Sequence, residues 1–531
     1  MTTEILTTVF LVIFFALMVG IGIYCRKHTK TVSGFLLGGR RVGPWLSAFA
    51  FGTSYFSAVI FVGYAGQFGW NFGLASTWIG LGNAFIGSLL AWAVLGRRTR
   101  VMTQSLGSHT MPDFFGKRFD SGVLRWTSAL IVFVFLIPYT ASLYNGLSSL
   151  FGIAFSVPYW LVIVIMAVLT GVYVLFGGYM ATAINDFIQG IIMLVGIVVV
   201  VAAVLLKQGG FTEAVAKLSE QFTVTSSGSV FHGAFTSFLG PDPLFLFFVV
   251  MLTSLGTWGL PQMVGKFYAI KDEAAIRKGT IISTLFAVVV AGGCYFLGGF
   301  GRLFLTPEEV GGQFDRIVPT MLSGLAPVVI AVVIVLVLSA SMSTLSSLVL
   351  TSGSTLTLDL VLRRSKEPDA EKAEKKKLFI LRLLTVFFIL LSAVIAILKD
   401  SVWSDNVFIA QMMGVSWGAL AGAFLAPFLY GLYWKKTTKP AVAVSFLFGT
   451  GMEIFQLVVT MIDKCTGKDI LAGVPFLSFI FRNSLYSGVF AMLGGLILVP
   501  LVSLLTQKSR PQNVEEMFDC YKAVNVTGEG E

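Results

Sequence analysis

Charge is what this sequence has least of. Only 12% of its 531 residues are Asp, Glu, Lys or Arg, far too few to cover the surface of a soluble protein of that size. A net charge of +10 would suggest nucleic-acid or acidic partners in a soluble chain. Here that class is excluded, and the placement of the charges carries the information. The four cysteines, Cys25, Cys294, Cys465 and Cys520, have no metal-ligand spacing and build no disulfide framework. Three histidines, His28, His109 and His232, are scattered over predicted loops, and no serine has a base paired with it in sequence. The chain therefore reads as no enzyme and implies no organic cofactor. No basic segment precedes the first apolar run, which follows MTTE directly and is itself followed by Arg26, Lys27 and Lys30; it reads as a retained span and not as a cleaved signal.

What remains is apolar. Hydrophobic residues make up 56% of the chain, with a mean hydropathy of +0.85. Runs of roughly 20 apolar residues, each long enough to cross about 30 Å of hydrocarbon as a helix, recur along it. About thirteen are counted, which predicts an all-α polytopic membrane protein. They fall near 5–25, 45–64, 74–95, 123–151, 159–176, 183–206, 244–263, 280–300, 335–359, 379–398, 407–432, 441–462 and 485–505. The basic loops after the first, third, seventh, ninth, eleventh and thirteenth runs all land on one side. By the positive-inside rule that side is cytoplasmic, the N-terminus lies outside, and the C-terminal tail (507–531) lies inside a cell membrane. The loop from Lys266 to Lys278 and the connector RRSKEPDAEKAEKKK belong to this set.

Two runs are interrupted. Gly52 and Gly63 punctuate the second, and Gly256, Gly259 and Pro261 the seventh, while Gly177-Gly178 marks a tight turn between the fifth and sixth. Discontinuous helices in matching halves of a membrane protein point to a binding site at mid-membrane. The ninth run adds six hydroxyls within nine residues: Ser339, Ser341, Ser343, Thr344, Ser346 and Ser347. Hydroxyl oxygens are ligands for a small hard cation; they also line helix contacts and bond back to carbonyls four residues earlier.

Three stretches then argue together. LGGRRVGPWLSAFAFGTSYFSAV (Leu37 to Val59), FGGYMATAINDFIQG (Phe176 to Gly190) and SASMSTLSS (Ser339 to Ser347) resemble signatures of the sodium:solute symporter family, and TMPDFFGKRF and GLYWKKTT resemble further motifs of it. The resemblance implies a LeuT-like fold of two inverted five-helix repeats with discontinuous first helices, here 45–206 and 244–432, with accessory spans at 5–25 and 441–505. It implies one Na⁺ held by the carbonyls of Thr53, Phe56 and Ala340 and the side chains of Ser343 and Thr344. A second Na⁺, where family members have one, would lie among Asp186, Ser346 and Ser347, although Asn185 departs from the Thr that more often precedes this Asp. A carboxylate near a helix start can alternatively serve the helix dipole and the free N–H groups there.

The same resemblance places a solute pocket at Tyr55, Val59, Thr77, Tyr139, Thr253, Thr257, Trp258 and Gln411. Val59 stands where proline-type relatives carry Trp, and Thr253 and Thr257 stand where they use aromatics. Thr77 replaces the acid that sugar-type relatives carry beside the Trp of the third span. No Arg or Lys is expected inside the pocket spans. The SYFSAV and INDFIQG stretches are similar to the pantothenate and monocarboxylate branches. A small organic acid or an amino acid is therefore the expected solute, taken up with Na⁺ by a chain that works as a monomer in the lipid bilayer and binds no nucleic acid. Proton coupling through Asp186, a solute sensor and a cation channel on the same helices stand as alternatives. A channel needs a continuous polar lining, and a sensor normally adds a soluble domain larger than a tail of about 25 residues.

Overall fold

The computed structural model describes residues 3–154, 158–224, 230–362, 370–402 and 409–522. Helix dominates, as it must where hydrocarbon offers backbone groups no other partners. The one strand pair among the described residues, Phe222–Val224 with Val230–His232, lies in a segment between spans. Residues 363–369 of the charged connector and the end of the tail lie outside the described residues.

Among the described residues, ten helices are long and apolar enough to cross a membrane, or up to eleven when the bent pair Pro243–Gly259 and Pro261–Tyr268 forms one span. The sequence count of about thirteen is not reached by this measure, and the difference has a physical origin. Val59–Ser105 and Tyr159–Lys207 are continuous helical stretches of 47 and 49 residues. At 1.5 Å per residue each would measure about 70 Å if straight, over twice the hydrocarbon thickness. Neither is straight. Gly73 has φ 60° and ψ −136°, and Gly178 has φ 54° and ψ −151°, a region open essentially to glycine alone. Both reversals fall where the sequence places a turn.

A Cβ at residue 178 would also sit 2.7 Å from the Phe35 carbonyl oxygen. Gly178→Ala is accordingly expected to lose on the order of 1–3 kcal/mol from backbone strain alone, read as a lower melting temperature and a smaller monodisperse peak after detergent extraction; an unchanged profile contradicts the account.

Both expected helix breaks are present. The seventh span runs as Pro243–Leu255, tightens through Gly256–Gly259, extends at Leu260 and restarts at Pro261, bent by 46°. The second breaks at Phe56, extended at φ −99° and ψ 127°, between the helix Pro44–Tyr55 and the π-helix Val59–Tyr64. That break falls midway between Gly52 and Gly63 and not at either glycine. Gly52 instead makes room for the Phe286 ring, which a Cβ there would meet at 2.5 Å.

The helix Pro327–Thr355 is the hub. It is buried along nearly its whole length and packs against Thr3–Cys25, Pro44–Tyr55, Gly122–Ala154 and Tyr159–Lys207. Helix Glu273–Gly298 backs the broken second span. There Gly69 and Gly298 let backbone meet backbone, since a Cβ on Gly69 would lie 2.0 Å from the Gly298 carbonyl carbon. Ile409–Tyr433, Lys439–Thr466 and Ser484–Leu505 form a three-helix group at one flank.

Candidate functional site

A helix interrupted in hydrocarbon leaves carbonyls and amides that cost several kcal/mol each if unpartnered. At Phe56 the partners come from the hydroxyl row of Pro327–Thr355, which explains a break without glycine or proline. Thr344 Oγ1 lies 2.9 Å from the Phe56 carbonyl oxygen, 3.3 Å from that of Thr53 and 3.1 Å from that of Ala340. Ser343 Oγ lies 3.1 Å from Thr53 O and 3.0 Å from Ala340 O. Ser341 Oγ accepts the Ala58 N–H at 3.1 Å. Three carbonyls and two hydroxyls thus converge on one spot, and all five residues are buried. Two hydroxyl protons cannot fill the lone pairs of five oxygens. The surplus of acceptors suits a hard cation.

Asp186, Ser346 and Ser347 are differently arranged. Ser346 Oγ donates to Ser343 O at 2.9 Å, and Ser347 Oγ contacts the same carbonyl at 3.1 Å and Ser54 Oγ at 2.7 Å. Neither reaches Asp186, whose carboxylate oxygens have no hydrogen-bond partner among the described residues. The carboxylate faces Lys266, with Nζ 3.5 Å from Oδ2 and both side chains buried. Asp186 lies two turns beyond Gly178, so the helix-start reading fails. Lys266 corrects the sequence reading, which begins a cytoplasmic loop at this residue and finds no basic group within the pocket spans. It sits inside the half-helix Pro261–Tyr268, with Met263, Val264 and Phe267 buried around it. The apolar run PQMVGKFYAI was the available signal.

The predicted pocket residues divide into those that meet and those that do not. The Tyr55 hydroxyl donates to the Thr253 carbonyl, and the Tyr55 ring lies 5.7 Å from that of Trp417, which in turn lies 6.1 Å edge-on from Tyr139. Val59 is buried at the restart of the helix. Thr257 Oγ1 contacts Gly87 O at 3.3 Å and Trp258 Nε1 donates to Ile86 O at 3.0 Å, so these two tie the seventh span to the third. Thr77 opens the third span beside Trp78, whose indole donates to Phe238 O in the segment between spans. Gln411 stands in the first turn of Ile409–Tyr433, six residues before Trp417.

Sequence reasoning missed Trp417 and Asn83. Ser254 Oγ donates to Asn83 Oδ1 at 3.0 Å, placing Asn83 next to the Thr253–Tyr55 contact. Asn83 Nδ2, Trp417 Nε1 and Tyr139 Oη are buried and make no hydrogen bond of ordinary geometry among the described residues, although Tyr139 faces the Trp417 indole and Asn83 faces the Tyr295 hydroxyl. Buried polar atoms left open mark the place of a bound molecule or water.

Paired mid-membrane breaks, with a cation-suited oxygen cluster at one of them, define a secondary transporter of the LeuT-like inverted-repeat class, and not an enzyme. Compared with known families, the chain matches the Sodium:solute symporter family over residues 35–449, and it belongs to that family. It is a multi-pass membrane protein that couples solute uptake to Na⁺. It is 29% identical over 460 residues to sodium/proline symporter 2 of Staphylococcus saprophyticus, covering 85% of this chain and 86% of that one. It is 30% identical over 451 residues to the sodium/proline symporter of Staphylococcus aureus, covering 83% and 84%. Among solved structures it resembles a Na⁺-coupled sialic acid symporter in a substrate-bound outward-open state, with a TM-score of 0.70 at 16% identity, covering 94% of this chain and 97% of that one.

Proposed function

We propose that this protein takes up a small carboxylate-bearing solute, an amino acid or a monocarboxylate, with Na⁺ held by the carbonyls of Thr53, Phe56 and Ala340 and the hydroxyls of Ser343 and Thr344. The convergence of these five oxygens at the Phe56 break carries the reading. An ion there bonds the first broken helix to the hydroxyl-rich helix and so favours one arrangement of the two. The solute lies beside it, where Tyr55 continues the same helix toward Trp417 and Tyr139. One charge moving through about 100 mV releases about 2.3 kcal/mol, equivalent to roughly 50-fold accumulation of a neutral or zwitterionic solute before the Na⁺ gradient is added.

The open groups of the pocket, an amide NH₂, an indole N–H and a phenol, are neutral donors, and donors suit a carboxylate. Proline heads the panel to be tested because the Staphylococcus relatives are named sodium/proline symporters. Basic residues at Arg40, Arg97, Arg100 and Lys435 put one face of the bundle in the cytoplasm.

The test is uptake into proteoliposomes from a panel of amino acids, monocarboxylates and sugars under an imposed Na⁺ gradient. Tyr139→Phe and Trp417→Phe are expected to raise KM for the carried solute about tenfold or more, the value of a hydrogen bond to a charged group, while leaving the Na⁺ concentration for half-maximal uptake within about twofold. Equal loss of Na⁺ and solute affinity in both variants contradicts a separate solute pocket.

A further inference from the structure

We propose that Lys266 is a built-in cation: its ammonium holds the Asp186 site that a second Na⁺ would otherwise take, and so fixes the load at one Na⁺ per cycle. This rests on the sodium reading above and deepens it.

The geometry is that of an occupied monovalent cation site. Lys266 Nζ lies 3.5 Å from Asp186 Oδ2, with side-chain exposures of 4% and 1%, and 5.3 Å over the Tyr179 ring, a second surface that attracts a cation. No other donor reaches the carboxylate among the described residues. The hydroxyls of Ser346 and Ser347, which would complete a Na⁺ shell, are turned to Ser343 O and Ser54. Charge decides which cation is tolerated. With Lys266 present the carboxylate is already balanced; a Na⁺ added there would stand directly beside the ammonium, and two like charges that close in a medium of low dielectric repel strongly. Removing the ammonium reverses the balance, because the carboxylate then needs a counter-ion.

A cavity of about 50 Å³ opens on the Lys266 side of the pair, lined among others by Lys266, Gln262, Tyr179 and Ser347, and an ion can reach the carboxylate from it once the ammonium is gone. Lys266 also rides on the half-helix Pro261–Tyr268, whereas Asp186 belongs to the sixth span, so the internal cation bridges the two repeats.

The experiment uses the purified full chain, equilibrium binding of radiolabelled Na⁺, and melting temperatures in NaCl against choline chloride. The wild type is expected to bind about one Na⁺ per chain, and so is Lys266→Arg. Lys266→Gln is expected to bind about two and to show a larger Na⁺-specific rise in melting temperature than the wild type. Lys266→Gln combined with Asp186→Asn is expected to return to one. A folded Lys266→Gln that still binds one overturns the proposal. So does a wild type that binds two and loses one on Asp186→Asn, a result that decides the matter even where Lys266→Gln does not fold. A wild type that binds no Na⁺ overturns the sodium reading and this inference with it, whereas the two-ion wild type overturns this inference alone.

Discussion

Thr344→Ala raises the Na⁺ concentration for half-maximal uptake by about ten- to a hundredfold. The Thr344 hydroxyl touches three of the other cluster oxygens, at 2.9 Å, 3.1 Å and 3.3 Å. Removing it deletes a ligand and also strips the Phe56 carbonyl of its partner. Loss of one buried group bonded to a charge is worth about 1.5–3 kcal/mol, and each 1.4 kcal/mol is a factor of ten. Ser343→Ala acts in the same direction with a smaller effect, since Ser343 contacts two of those carbonyls. The measurement is initial uptake in proteoliposomes across a range of external Na⁺, with K⁺ holding ionic strength. A Thr344→Ala curve superimposed on the wild type removes these residues from the ion path.

The second large effect concerns stability. Asp186→Leu leaves the Lys266 ammonium buried without its counter-charge, and breaking one side of such a pair costs about 3–5 kcal/mol. Replacing both partners with apolar groups of similar volume is often neutral or better. Lys266→Met together with Asp186→Leu is therefore expected to regain most of the melting temperature that Asp186→Leu loses, measured in choline chloride so that no Na⁺ substitutes for the missing ammonium. A double variant whose loss equals the sum of the losses of Asp186→Leu and Lys266→Met means that the residues do not interact. The Na⁺ dependence then separates electrostatics from packing, because only the Lys266 variants that keep Asp186 gain more stability from added Na⁺ than the wild type does.

Much of this was legible in the chain. The apolar runs, the hydroxyl row from Ser339 to Ser347 and the interruptions of two matching helices point to a polar site at membrane depth, because period, length and polar residues at that depth are local properties; the particular oxygens of Thr53, Phe56, Ala340, Ser343 and Thr344 are what the resemblance to the sodium:solute symporter family implies. What was not legible is tertiary. The second span breaks at Phe56, where no residue has a breaking tendency of its own; the extended backbone is held by Ser341, Ser343 and Thr344 from a helix almost 300 positions away. Lys266 reads as the first residue of a basic loop only while the half-helix Pro261–Tyr268 goes unrecognised.

The third span shows the same limit. Thr77 comes from the resemblance, as the neighbour of Trp78, whereas Asn83, at the start of the π-helical segment Asn83–Leu90, is brought to Ser254 by a contact across 171 positions that no local pattern displays. Trp417 is one of ten tryptophans, and nothing local sets it apart from those that face lipid.

The central claim, that solute and Na⁺ are bound together through the oxygen cluster at Phe56, is tested most directly by thermal unfolding of the purified protein. A panel of small acids, amino acids and sugars is screened in Na⁺ and in K⁺. At about 100 times its Kd, a ligand bound only by the folded state adds roughly 2.7 kcal/mol. The account expects a carboxylate-bearing solute to raise the melting temperature in Na⁺, to do so far less in K⁺, and to lose the effect in Thr344→Ala. A solute that stabilises the protein equally in both salts contradicts it.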